Sequence, residues 1–89
     1  MATLRILIKG KVQGVFYRQT AKKIADKLDI KGWVKNNLAG EVEAVVTGND
    51  PSLQAFIEWC KQGPERAEVS EVITSKLVEI PFDDFTIKR

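Results

Sequence analysis

The sequence contains no histidine among its 89 residues. That absence removes every Ser-His-Asp and Cys-His arrangement, the phosphohistidine routes and most zinc sites. Any chemistry falls to backbone amides, arginine, side-chain amides, carboxylates or water. Cysteine is almost as scarce. Cys60 stands alone, which rules out an internal disulfide and fits a reducing cytoplasm. No apolar run approaches the roughly 18 residues a membrane span needs. Arg5 and Lys9 interrupt the short apolar stretch at the N-terminus, so no signal-peptide pattern is expected. Linkers, repeats and low-complexity tracts are also missing. A net charge of +2 is too small to argue by itself for nucleic acid or membrane binding. What is left, 44% hydrophobic and 29% charged residues, is an ordinary globular balance. It is enough for one small domain over residues 1–89 with one modest core, and size and charge suit a monomer.

Within that balance the apolar residues are placed with clear periods. Thr3 to Lys9 alternates as a strand, with Leu4, Ile6 and Ile8 on one face. Tyr17, Ala21, Ile24, Ala25 and Leu28 then form one helical stripe. "KGWVKN", from Lys31 to Asn36, reads as a second strand, and "NLAG" turns the chain back. From Glu41 to Thr47 the alternation puts Val42, Ala44 and Val46 inward and Glu41 and Glu43 outward. Asn49 or Asp50 with Pro51 marks a helix start, Leu53, Phe56, Ile57 and Cys60 form its apolar stripe, and Gly63-Pro64 stops it. Ala67 to Ile80 reads as a long strand whose weak alternation calls for a bulge or bend. Phe85 and Ile87 form a short closing strand.

The order β-α-β-β-α-β with one extra strand specifies an α+β, ferredoxin-like sandwich: an antiparallel sheet with two helices on one face. Right-handed crossovers then make the first and second strands run in the same direction. Their C-terminal ends, the Gly10–Gly14 loop and Asn36, are therefore expected at one edge of the sheet.

That edge holds the residues with chemical potential. In "GKVQGVFYR", Gly10 and Gly14 permit backbone angles that a Cβ would forbid, so N–H groups from Gln13 to Tyr17 can converge on one centre. Arg18 adds a planar five-donor fork beside a helix N-terminus, suited to bidentate phosphate contacts. On spacing alone this is either an anion site or an ordinary strand–helix turn. No Gly-Lys-Ser/Thr follows, so it is not a Walker A loop. Asn36 is either a turn residue of "NNLAG" or an amide that orients water or an anion. Cys60, on an apolar stripe, reads as a packed core thiol. Phe16, Trp33, Phe56 and Trp59 read as core or flanking residues, with Phe16 also placed to line a pocket mouth. Lys22, Lys23 and Lys27 form a solvated helix face.

"GKVQGVFYR" followed by "GWVKN" and "GEVEAVVTG" resembles the acylphosphatase family of small cytosolic hydrolases, and the likeness extends over nearly the whole chain. The resemblance implies that the backbone of Gln13, Gly14, Val15, Phe16 and Tyr17 cradles a phosphate. Arg18 would bind that phosphate, and Asn36 would position the attacking water. It implies a small acyl phosphate as substrate and inorganic phosphate as product and competitive inhibitor. No cofactor, metal, nucleic acid or membrane is expected. Many members have phenylalanine where this chain has Tyr17, and a small residue where it has Phe16. The residue inventory agrees with the chemistry: phosphoryl transfer asks a protein mainly for positioning and charge stabilisation. A carboxylate leaving group, with a pKa of about 4 by analogy with Asp and Glu, departs without a general acid.

Two other ferredoxin-like functions fit less well. An RNA-binding module would carry aromatics on the strand "EVEAVVTG", which has none, and a metal-carrying module would want paired cysteines. A regulatory anion-binding domain without turnover remains open, with Asn36 as the feature that argues against it.

Overall fold

The structure is a computed structural model, and it describes residues 1–88. Its elements are β1 (Ala2–Lys11), α1 (Tyr17–Lys27), β2 (Lys31–Asn36), β3 (Val42–Gly48), α2 (Asp50–Gln62), β4 (Glu68–Leu77) and β5 (Phe85–Ile87). They form one five-stranded sheet in the order β4-β1-β3-β2-β5, in a ferredoxin-like α+β arrangement. β3 pairs antiparallel with both β1 and β2, so those two strands run in the same direction without touching.

Alternation along the strands decides which face the helices cover. Ile6 and Ile8 of β1, Val34 of β2, and Val42, Ala44 and Val46 of β3 are at most 1% exposed. They share one core with Ala21 and Ala25 of α1 and with Leu53, Phe56 and Cys60 of α2. α2 is capped by Asn49, whose side-chain oxygen accepts a hydrogen bond from the Ser52 N–H at 3.0 Å, with Pro51 in the first turn of the helix. The opposite sheet face carries polar pairs, such as Arg5 Nε to Glu43 Oε2 at 2.7 Å. Trp33 lies half-buried among its neighbours, with the Lys88 ammonium 4.6 Å from its ring centre.

Two features depart from the sequence expectation. β4 ends at Leu77 rather than Ile80. Beyond it the chain crosses beneath the ends of β1 and β3 to reach the far edge. There the Ile80 N–H donates to Thr3 Oγ1 (2.9 Å), the Thr3 and Thr47 hydroxyls bond each other (2.6 Å), and Thr47 Oγ1 donates to the Ile80 carbonyl (2.7 Å). This ring satisfies two hydroxyls of residues at most 6% exposed. The crossing reverses the chain, so β5 lies parallel to β2 and the sheet is mixed rather than wholly antiparallel.

The irregularity expected in the last long strand is present. Lys9 pairs with Glu71 and Gly10 with Val69, which leaves Ser70 as the extra residue of a bulge in β4. Gly10 makes this possible. At φ 124°, an added Cβ would lie 2.1 Å from the Glu68 carbonyl oxygen and 2.8 Å from the Ser70 nitrogen.

Candidate active site

Beyond the bulge the chain leaves β1 and passes through residues 12–16 before α1 begins. Val12 (1% exposed) and Val15 (6%) pin this loop to the core. Gly14, between them, has φ 75° with open space around it, so its requirement is conformational rather than steric. Phe16, immediately before the helix, is also left-handed (φ 62°, ψ 27°), an unusual conformation for a bulky residue. Its carbonyl is held from ahead by the Thr20 N–H (3.1 Å) and the Thr20 hydroxyl (2.9 Å). Strain of this kind persists where surrounding structure enforces it, and it clusters at functional sites.

This route leaves the start of α1 unusually open. No side chain caps it, and its first turn has no acidic residue. The free N–H groups of an uncapped helix start carry the positive end of the helix dipole. Tyr17 anchors that turn from behind. Its hydroxyl donates to the Cys60 carbonyl at 2.8 Å, and its ring lies 5.0 Å from that of Trp59. Burial, then the neighbouring Cys60, pushes the Tyr17 phenol well above its ordinary value. The hydroxyl therefore stays protonated and serves as a brace. The buried Cys60 thiol is pushed up to about 12 by burial, so it is an inert core group.

Arg18 follows Tyr17 directly and is half-buried. Its one hydrogen bond among the described residues is a long one, Nη1 to the Lys88 carbonyl at 3.4 Å. None of the ion pairs among the described residues includes it. The guanidinium thus keeps most of its donors available beside the open helix start.

Across the edge stands Asn36, the last residue of β2 paired to β3, opposite Val42. The turn that follows is built by Asn37. Asn37 Oδ1 accepts from the N–H groups of Ala39 (3.0 Å) and Glu41 (2.9 Å), and Asn37 Nδ2 donates to Glu41 Oε1 (3.1 Å). With Asn37 filling the turn role, the Asn36 amide has no hydrogen-bond partner among the described residues and faces a cavity.

That cavity, about 160 Å³, brings together Gly14, Phe16, Tyr17, Arg18 and Asn36, with Val12 and Gln19 completing its wall. It is smaller than the roughly 300–1,000 Å³ of pockets that enclose drug-sized ligands. A phosphate-sized group fits it, and anything attached must extend outside. Gln13 and Val15, though in the same loop, do not line it: Val15 is in the core, and Gln13 bonds the β2–β3 turn. Gln19 escaped the sequence reading. With Phe16 as N-cap, residues 17–19 carry the free amides, but locating the cap to one residue needs the left-handed angle at Phe16. Phe16 is 68% exposed, which explains how a bulky residue is accommodated at the mouth. Among the described residues, no cluster of three or more Cys, Asp or Glu is placed to hold a metal ion. No described helix is long and apolar enough to cross a membrane.

Comparison with known proteins gives the family. Residues 4–87 match the family model described as Acylphosphatase. A relative from Syntrophus aciditrophicus (strain SB), named Acylphosphatase, is 42% identical over 88 residues, covering 98% of this chain and 92% of its own. The crystal structure of acylphosphatase from Bacillus subtilis superposes with a TM-score of 0.96 at 33% identity, over 100% of both chains. The structure of an acylphosphatase from Coxiella burnetii gives a TM-score of 0.94 at 38% identity, over 98% of this chain and 92% of that one.

Proposed function

Since the chain belongs to the acylphosphatase family and hydrolyses the carboxyl–phosphate bond of acyl phosphates, we propose that it does so by direct in-line attack of water on phosphorus, in a site formed by the α1 N-terminus, Arg18 and Asn36. The observation that carries this reading is the single cavity in which an uncapped helix start, a guanidinium without an ion-pair partner among the described residues and an unengaged asparagine amide face one another.

The phosphate of the substrate occupies the cradle formed by the backbone at Gly14, Phe16 and Tyr17, with the Arg18 fork on its oxygens. The charge that builds on those oxygens at the transition state meets donors already in place. Asn36, on the other side, holds water in line with the bond to be broken. The water oxygen bonds to phosphorus, the P–O bond to the acyl group breaks, and its electron pair leaves as a carboxylate. The water proton passes to a phosphate oxygen of the substrate. No acid is needed for so weak a base as the departing carboxylate. Because the cavity is small, the acyl part lies outside it, near the exposed Phe16.

A cytoplasmic, monomeric, single-domain protein belongs to the same reading, supported by the unpaired thiol of Cys60 and by a family match that spans residues 4–87. Benzoyl phosphate is the substrate with which to test the mechanism. Hydrolysis undiminished in excess EDTA, with inorganic phosphate as a competitive inhibitor, is the expected result. A strict divalent-ion requirement, or phosphate inhibition that substrate cannot overcome, would refute it.

A further inference from the structure

β1 and β2 end at the same edge but are not neighbours, because β3 lies between them. The cradle hangs from β1 through the loop, and Asn36 hangs from β2. Near Asn36 the sheet gives little support on the outer side, since β5 pairs with β2 only from Gly32 to Val34. One side chain spans the gap. Gln13 Nε2 donates to the Glu41 carbonyl at 2.8 Å and to the Asn37 carbonyl at 3.0 Å, using both of its N–H bonds. Those two carbonyls lie on opposite sides of the β2–β3 turn, which is itself closed by the Asn37 N–H bonding the Glu41 carbonyl at 2.9 Å.

We infer that the Gln13 side chain is a positioning residue for hydrolysis: it ties the phosphate loop to the turn that carries Asn36 and so sets the distance between bound phosphate and attacking water. The inference rests on the proposed roles of the cradle and Asn36. Gln13 does not line the cavity, so its side chain acts on the reaction through the turn that carries Asn36. A strut of this kind matters most in the transition state, where a misplacement of about 1 Å can cost up to about 100-fold in rate.

A double-mutant cycle on the intact chain separates this from a simple structural role. Gln13→Met keeps length and volume but removes both donors. In the wild-type background it should lower kcat for benzoyl phosphate by about 10-fold while phosphate inhibition stays within about twofold. In an Asn36→Ala background the same substitution should change kcat by less than about twofold, because the group it positions is gone. Equal losses in both backgrounds would overturn the inference, as would an unchanged kcat in the single variant. If Gln13→Met does not fold, Gln13→Asn, too short to reach both carbonyls, carries the same expectations. Failure of the underlying activity is distinguishable, because it would appear in the wild-type protein as an absence of benzoyl phosphate hydrolysis.

Discussion

Truncating the adjacent asparagines, Asn36 and Asn37, should produce opposite effects on activity and stability. Asn37 makes three hydrogen bonds through its side chain, two from backbone N–H groups and one to the Glu41 carboxylate. At about 1 kcal/mol net for each hydrogen bond, and less where solvent reaches it, Asn37→Ala should cost about 2 kcal/mol. Asn36 makes none among the described residues, so Asn36→Ala should stay within about 0.5 kcal/mol of the wild type. Activity should invert the order. Losing a group that contacts the nucleophile should lower kcat by about 10²–10³, the loss typical of one stabilising donor at a reacting centre. Phosphate affinity should move only a few fold, the signature of an interaction made mainly in the transition state. Asn37→Ala should keep kcat within about tenfold, since Gln13 still fastens the turn. Urea unfolding gives one axis, and benzoyl phosphate turnover with phosphate inhibition gives the other. An Asn36→Ala protein that is folded and retains near-normal kcat would refute the assignment. So would a loss of stability larger than that of Asn37→Ala, which would make Asn36 the turn residue after all.

Two further outcomes are expected. Arg18→Lys keeps the charge but loses the planar fork, so it should lose most activity, about 10²-fold in kcat/KM; wild-type turnover would show that the fork is dispensable. Stability should fall as pH rises from the ordinary thiol value of 9.0 toward about 12. Over that range the unfolded chain releases the Cys60 proton while the folded chain retains it, so the stability present below pH 9.0 is progressively lost. The Tyr17 phenol, raised from 10.0, acts in the same direction. Cys60→Ala should remove the thiol's share of that slope in urea titrations, and an unchanged slope would contradict the burial argument.

Sequence and tertiary structure divide the site between them according to the range of the forces involved. Periodicity located β2 at Lys31–Asn36 and β5 near Phe85–Ile87, because side-chain alternation and turn residues act within a few positions. Topology followed from element order, since few chain paths connect such elements with right-handed crossovers. That was enough to place Gly14, Arg18 and Asn36 at one edge. The motifs "GKVQGVFYR" and "GWVKN" carried the family resemblance, and with it the activity. Other features depended on contacts between distant segments. The end of β4 at Leu77 and the parallel pairing of β5 were decided by the Thr3–Thr47–Ile80 ring, which joins three segments far apart in the chain. The two readings of Asn36 could not be separated by spacing, because Asn36 and Asn37 are equally good turn residues. Only the fold shows Asn37 closing the turn and Asn36 left over for the cavity. The inclusion of Gln19 and the reach of Gln13 across β3 belong to the same class. A side chain's partner is set by three-dimensional proximity, and local pattern cannot encode which carbonyl a glutamine will meet.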